Sequence, residues 1–165
     1  MHTPGFGYGQ NGHRSTFSTA LVPQFVMRNL VDRSLLILNF GFVDHSPGFL
    51  TLVNDAKKRV NEVSVAEARA RLTANPKVVL LDVREDNEWN ASHATEAVHL
   101  GKGILERDLE KRYPDKNAEI IMYCGGGFRS VLTCDVAQKL GYQKVSSLIG
   151  GYKLLVAAGW PVAKL

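Results

Sequence analysis

Cysteine is nearly absent from this chain, whose 165 residues include only two, Cys124 and Cys134. Two thiols cannot build a disulfide scaffold or a four-thiolate zinc site, so both classes are excluded. Long apolar runs are missing too. The best attempt, residues 21–43, is interrupted by Arg28, Asp32 and Arg33 and falls short of the roughly 20 uncharged apolar residues that span a bilayer. Excess charge of one sign is also small: 20 Lys and Arg against 16 Asp and Glu leave a formal +4, spread along the chain. That balance suits small anions and is too weak to argue for nucleic acid. The expectation is one domain with a real core, no membrane span, no nucleic-acid partner, and a reducing, cytoplasmic setting.

Composition shifts near residue 44. Before it the only charged side chains are Arg14, Arg28, Asp32 and Arg33, and the opening Thr3-Pro4-Gly5-Phe6-Gly7-Tyr8-Gly9 has neither helical nor strand period. The early positive charges and unbroken apolar core of a secretory signal are lacking, and the arginines are few for an organellar transit peptide. Residues 1–43 are expected to be a poorly ordered or non-native extension, an over-called gene start ahead of initiation near Val43. Residues 44–63 form a leading helix and connector, and residues 64–165 the main domain.

From residue 44 onward helices and strands alternate. Ser46-Pro47 is an N-cap and first-turn pair, followed by Leu50, Val53, Ala56 and Val60 at helical spacing, with Lys57, Lys58 and Arg59 at the end. Ser64-Val65-Ala66-Glu67 is a capping box, and Asn75-Pro76 closes its helix. Val78-Val79-Leu80-Leu81 and Ile120-Ile121-Met122-Tyr123 are continuous apolar runs, as expected for strands buried on both faces of a parallel sheet. Between them fall a helix over 85–91, a short strand over 97–100 and a helix over 104–113. A helix over 130–140, a strand over 145–148 and a final helical turn from Gly150-Gly151 follow. This alternation implies right-handed crossovers and an α/β fold with a central parallel sheet of about five strands.

Chemistry concentrates in Tyr123-Cys124-Gly125-Gly126-Gly127-Phe128-Arg129-Ser130, between a buried strand and a helix, where α/β sheets place their ligand sites. Three glycines let successive N–H groups converge on one spot as an anion-binding nest. The helix start at Ser130 adds its positive end, and Arg129 adds a full charge. All three favour thiolate over thiol, which makes Cys124 an activated nucleophile in an oxyanion-hole-like cradle.

Several ordered motifs resemble the rhodanese (sulfurtransferase) family: Leu81-Asp82-Val83-Arg84-Glu85 with Glu88-Trp89, Ser92-His93 before Ala97-Val98-His99-Leu100, the cysteine loop, and Leu148-Ile149-Gly150-Gly151-Tyr152 before Gly159-Trp160-Pro161. The likeness runs from about Ser64 to Pro161, and residues 45–60 resemble the leading helix of single-domain bacterial rhodaneses. One loop departs: Ser92-His93-Ala94-Thr95-Glu96-Ala97 stands where the family usually has Gly-His-Ile-Pro-Gly-Ala. The resemblance implies a rhodanese-like fold with helices on both faces of the sheet. It implies that Cys124 takes a sulfane sulfur from thiosulfate or a similar donor, holds it as a persulfide and passes it to cyanide or a thiol. The partners are then a small-molecule sulfur donor and acceptor, or a thiol protein, with no metal or organic cofactor.

Gly125, Gly126, Gly127, Phe128 and Arg129 are expected to bind substrate, with Arg129 attracting the anionic donor. Asp82, Arg84 and Ser130 are expected to support the loop. Loop length argues against phosphoryl transfer: tyrosine phosphatases use Cys-x5-Arg, whereas Cys124 and Arg129 are one residue closer. A phosphatase or arsenate reductase would also need a general acid, for which Asp82, Glu85 and Glu88 are candidates. A non-catalytic binding module is the other alternative. His93, His99, Trp89 and Trp160 are read as structural, Arg107 as a solvated surface residue and Cys134 as a small buried one.

Overall fold

The computed structural model describes Met1 and residues 45–164. The extension expected over residues 1–43 therefore lies, Met1 apart, outside the described residues. Helix α1 (Pro47–Lys57) begins where Ser46 Oγ accepts from the Phe49 amide at 3.4 Å, and buries Val53 and Ala56. The connector after it is a strand, β1 (Asn61–Val63). Ser64 and Glu67 exchange hydrogen bonds in the expected capping box to open α2 (Val65–Ala74). Then come β2 (Val79–Asp82), α3 (Asp86–Ala91), β3 (His93–Ala94), β4 (Val98–His99), a 3-10 turn (Lys102–Ile104) and α4 (Leu105–Arg112). The chain continues through β5 (Ile120–Tyr123), α5 (Phe128–Lys139), β6 (Val145–Leu148), α6 (Gly151–Ala157) and β7 (Val162–Ala163).

Five parallel strands form the main sheet in the order β1-β6-β5-β2-β4, and β3 pairs antiparallel with β7 at one side. Alternate residues of the strands face opposite layers, as the two-residue period requires. Ile120 and Met122 pack with Val53 and Ala56 of α1, Leu105 and Leu109 of α4, and Val131 and Ala137 of α5. Ile121 and Tyr123 face the other way, toward Ala68 of α2, Leu155 of α6 and Trp160. Helices thus cover both faces. Arg59 donates to Asp135 at 2.8 Å and ties the end of α1 to α5. Among the described residues no helix is long and apolar enough to cross a membrane.

Strands β2, β5 and β6 all release the chain at the same carboxyl edge. Asp82 is in register with Tyr123, and Met122 with Ser147. That edge carries residues 83–85, the cysteine loop and the Ile149-Gly150 turn.

Candidate active site

Cys124 follows the last residue of β5 and is 1% exposed. The structure corrects the helix boundary: α5 begins at Phe128 rather than Ser130, with Gly127 as its N-cap at φ +89°. The loop is therefore shorter than expected, and Arg129 lies in the first helical turn. Gly127 turns its amide onto Cys124 Sγ at 3.2 Å, and Ser130 Oγ donates to the same sulfur at 3.7 Å. Ser130 Oγ also meets Ser147 Oγ at 2.9 Å, so it can accept from Ser147 while donating to sulfur. The Ser147 side chain is fully buried on β6.

Helix α6 sets the orientation of the loop peptides. Tyr152 N–H donates to Cys124 O at 2.7 Å and Lys153 N–H to Gly125 O at 3.1 Å. In a trans peptide the following N–H points opposite to the carbonyl. The Gly125 and Gly126 amides are consequently directed away from α6. Among the described residues, the N–H groups of Gly125, Gly126, Phe128 and Arg129 meet no protein acceptor. Two glycines permit the close approach of loop and helix. A Cβ on Gly151, at φ +55°, would fall 2.1 Å from Cys124 O, and one on Gly127 would fall 2.9 Å from Gly150 N.

Asp82 and Arg84 form a buried ion pair beneath this loop. Arg84 Nη2 donates to Asp82 Oδ2 at 2.6 Å, Nε donates to both carboxylate oxygens at 2.9 Å, and the Arg84 amide caps Asp82 Oδ1. Arg84 also donates to Ser92 O at 2.7 Å and lies 4.1 Å from the Tyr152 ring centroid. Burial works against the guanidinium charge, but the Asp82 contacts outweigh it and the net shift of Arg84 is upward. Burial, with Asp82 nearby, pushes the Tyr123 hydroxyl far above its ordinary range, so it stays protonated. The Arg84 pair reaches the loop through Tyr152, whose amide holds Cys124 O and whose hydroxyl donates to Ser92 Oγ at 2.6 Å.

Arg129 is not free over the loop. Glu88 of α3 grips it with both oxygens, at 2.7 and 2.9 Å, and Glu85 stands 3.5 Å away. A cation in the first turn of a helix meets the positive end of the dipole, so a carboxylate partner offsets an unfavourable position. The same contact holds the Glu88 carboxyl below its ordinary range and Arg129 above its own. Glu88, Ser147 and Tyr152 are the neighbours whose roles at this site sequence reasoning missed. Two serines inside an otherwise apolar strand, Ser146 and Ser147, were the available signal for one of them.

The remaining residues sit apart from the sulfur's hydrogen bonds. Trp89 stacks between His93, at a centroid distance of 3.6 Å, and His99, at 5.0 Å. His93 Nδ1 and His99 Nε2 donate to the carbonyls of Trp89 and Arg84. Arg107 is exposed and paired with its neighbour Asp108. Cys134 is fully buried on α5, and burial pushes its thiol far above the usual range.

Residues 64–158 match the family model described as the rhodanese-like domain. The chain belongs to the rhodanese-like family. The thiosulfate sulfurtransferase GlpE of Tolumonas auensis is 31% identical over 98 residues, which are 59% of this chain and 85% of that protein. A crystal structure of a thiosulfate sulfurtransferase from Pseudomonas aeruginosa superposes with a TM-score of 0.63 at 20% identity, over 70% of this chain and 22% of that one. A Rhodopseudomonas palustris protein described as a possible tyrosine phosphatase superposes at 0.62 with 22% identity, over 74% of this chain and all of that one. At those identities the two structures speak for the rhodanese-like fold alone.

Proposed function

We propose that this chain is a sulfurtransferase that carries a sulfane sulfur on Cys124. The observation that carries the reading is the donor set at the sulfur: the Gly127 amide on Sγ, with the Gly125, Gly126, Phe128 and Arg129 amides meeting no protein acceptor among the described residues. Such a cradle is pre-organised for a small anion beside the nucleophile, so little reorganisation is needed when charge arrives there. The kinship with thiosulfate sulfurtransferases favours sulfur as that anion.

The mechanism has two displacements. Cys124 thiolate attacks the outer sulfur of thiosulfate; an Sγ–S bond forms, the S–S bond of the donor breaks, and its electron pair leaves with sulfite. The terminal persulfide sulfur, an anion, rests on the loop amides. Cyanide or a thiolate then attacks that sulfur, the Sγ–S bond breaks, and its electron pair returns to Cys124 as thiolate. Ser130 and Ser147 orient Sγ between the two steps, and Asp82, Arg84 and Tyr152 hold the loop. No proton transfer by a side chain is required once the thiolate is present, which fits the structural hydrogen bonds of His93 and His99.

Initial-rate kinetics with thiosulfate and cyanide test this. Parallel double-reciprocal lines and stoichiometric sulfite release before cyanide is added are the expected results. Intersecting lines with no sulfite release in the first half-reaction would overturn the covalent carrier.

A further inference from the structure

The guanidinium of the cysteine loop is already engaged by carboxylate and is not left open to a dianionic donor. Arg129 stands beside Gly125, and its guanidinium is occupied by both oxygens of Glu88, with Glu85 at 3.5 Å. Two carboxylates thus face one guanidinium. The guanidinium of Arg84 is engaged as well: it is buried and bound in fork fashion by Asp82. The ion pair lies directly against the residue after the nucleophile. An added Cβ at Gly125 would stand 3.3 Å from Arg129 Nη2 and 3.6 Å from Glu88 Oε1.

We infer that Glu88 is a specificity-determining residue: by sequestering Arg129 beside Gly125 it disfavours small dianionic donors such as thiosulfate and selects sulfane donors of low charge, such as an alkyl persulfide. This rests on the reading of Cys124 as the sulfur carrier. Glu88 is one-third exposed and half of a contact that can open, since it belongs to the short helix α3 rather than to the loop it touches. A dianion entering the loop must compete with a bidentate carboxylate for Arg129, whereas a singly charged persulfide needs only the amides. Chemically the two routes converge. For an alkyl persulfide, Cys124 thiolate attacks the terminal sulfur, the donor's S–S bond breaks, and the electron pair leaves with the alkyl thiolate.

The test compares wild type with Glu88→Gln, an isosteric change that keeps a hydrogen-bonding group against Arg129. The first readout needs no sulfur chemistry: the alkylation rate of Cys124 by anionic iodoacetate divided by that by neutral iodoacetamide. Both reagents require the same thiolate, so the ratio cancels the thiolate fraction and any general change in reactivity. Removing one negative charge near the sulfur should raise this ratio about fivefold. The second readout is sulfur loading. Glu88→Gln should lower KM for thiosulfate by a similar factor with kcat nearly unchanged, and leave loading from an alkyl persulfide that carries no further charged group within about twofold of wild type. An unchanged or lower alkylation ratio would overturn the role of Glu88 while leaving the sulfurtransferase reading intact. A raised ratio with no sulfur loading from either donor would overturn the sulfur reading, and the donor preference with it. Equal losses with both donors would show a merely structural contact and overturn the proposal.

Discussion

The Tyr152 amide donates to the Cys124 carbonyl oxygen at 2.7 Å, so the residue that would carry the reacting sulfur is fastened by its backbone to the first turn of α6. The contact exists because the preceding residue has no side chain. At Gly151, φ is +55° and a Cβ would overlap Cys124 O at 2.1 Å.

Gly151→Ala should therefore both strain the backbone and push the loop away from α6. A cost of about 3 kcal/mol is expected from the left-handed conformation and the overlap together. Thermal unfolding would show the loss as a lower Tm. Sulfur loading of the folded fraction should fall as well, because the loop amides lose their orientation. A variant with wild-type Tm and loading would contradict the close approach.

Asp82→Asn leaves Arg84 buried, charged and without its counter-ion. Removing one partner of such a pair is expected to cost about 3–5 kcal/mol, read from denaturant midpoints. Replacing both residues by apolar ones, Asp82→Leu with Arg84→Met, should recover more than half of that loss, since no bare charge remains. Recovery of stability without recovery of activity would separate the electrostatic role of the pair from its contact with Tyr152.

Acid stability depends on Asp135. The Arg59 and Lys139 contacts hold its carboxyl at about 2 in the folded chain, against an ordinary 3.8. A folded value below the unfolded one means that the stabilisation is fully present above the unfolded value and is lost as pH falls through the folded one. Stability should thus decline between about pH 4 and about pH 2. In Asp135→Asn this part of the decline should be missing, with lower stability at neutral pH. Urea unfolding at a series of pH values checks both the slope and its sign; an unchanged slope in the variant would contradict the contact.

Cys134→Ala should keep sulfur loading. Its thiol is fully buried and held protonated by that burial, so it neither attacks a donor nor resolves a persulfide. Loss of one sulfur atom from a well-packed site should cost about 1–2 kcal/mol. Intact mass after donor treatment, with a Tm for comparison, separates the two effects.

The buried centre of the sheet was visible in the sequence. Ile120-Ile121-Met122-Tyr123 became β5 without a shift of boundary, because a strand packed on both faces needs an unbroken apolar run. The capping box at Ser64 likewise appeared where expected. Strands β1, β3 and β7 were not anticipated; each is two or three residues long, and their pairing is set by what lies beside them rather than by their own pattern. The start of α5 was misplaced for a local reason. Ser130 has the chemistry of a preferred N-cap, but the left-handed Gly127 opens the helix and leaves Ser130 free to face sulfur. The cysteine loop itself stood out through its glycines. Its bond to Glu88, 41 residues away in sequence, did not, since one carboxylate of the acidic run Glu85-Asp86-Asn87-Glu88 carries no sign of which cation it will meet.

Intact mass after incubation with a sulfane donor tests the central claim most directly. Wild type and Cys134→Ala should each gain one sulfur atom, lose it on addition of cyanide, and show no gain when Cys124 is replaced by Ser. Absence of any gain from thiosulfate and from an alkyl persulfide, or a gain that survives Cys124→Ser, would contradict the account.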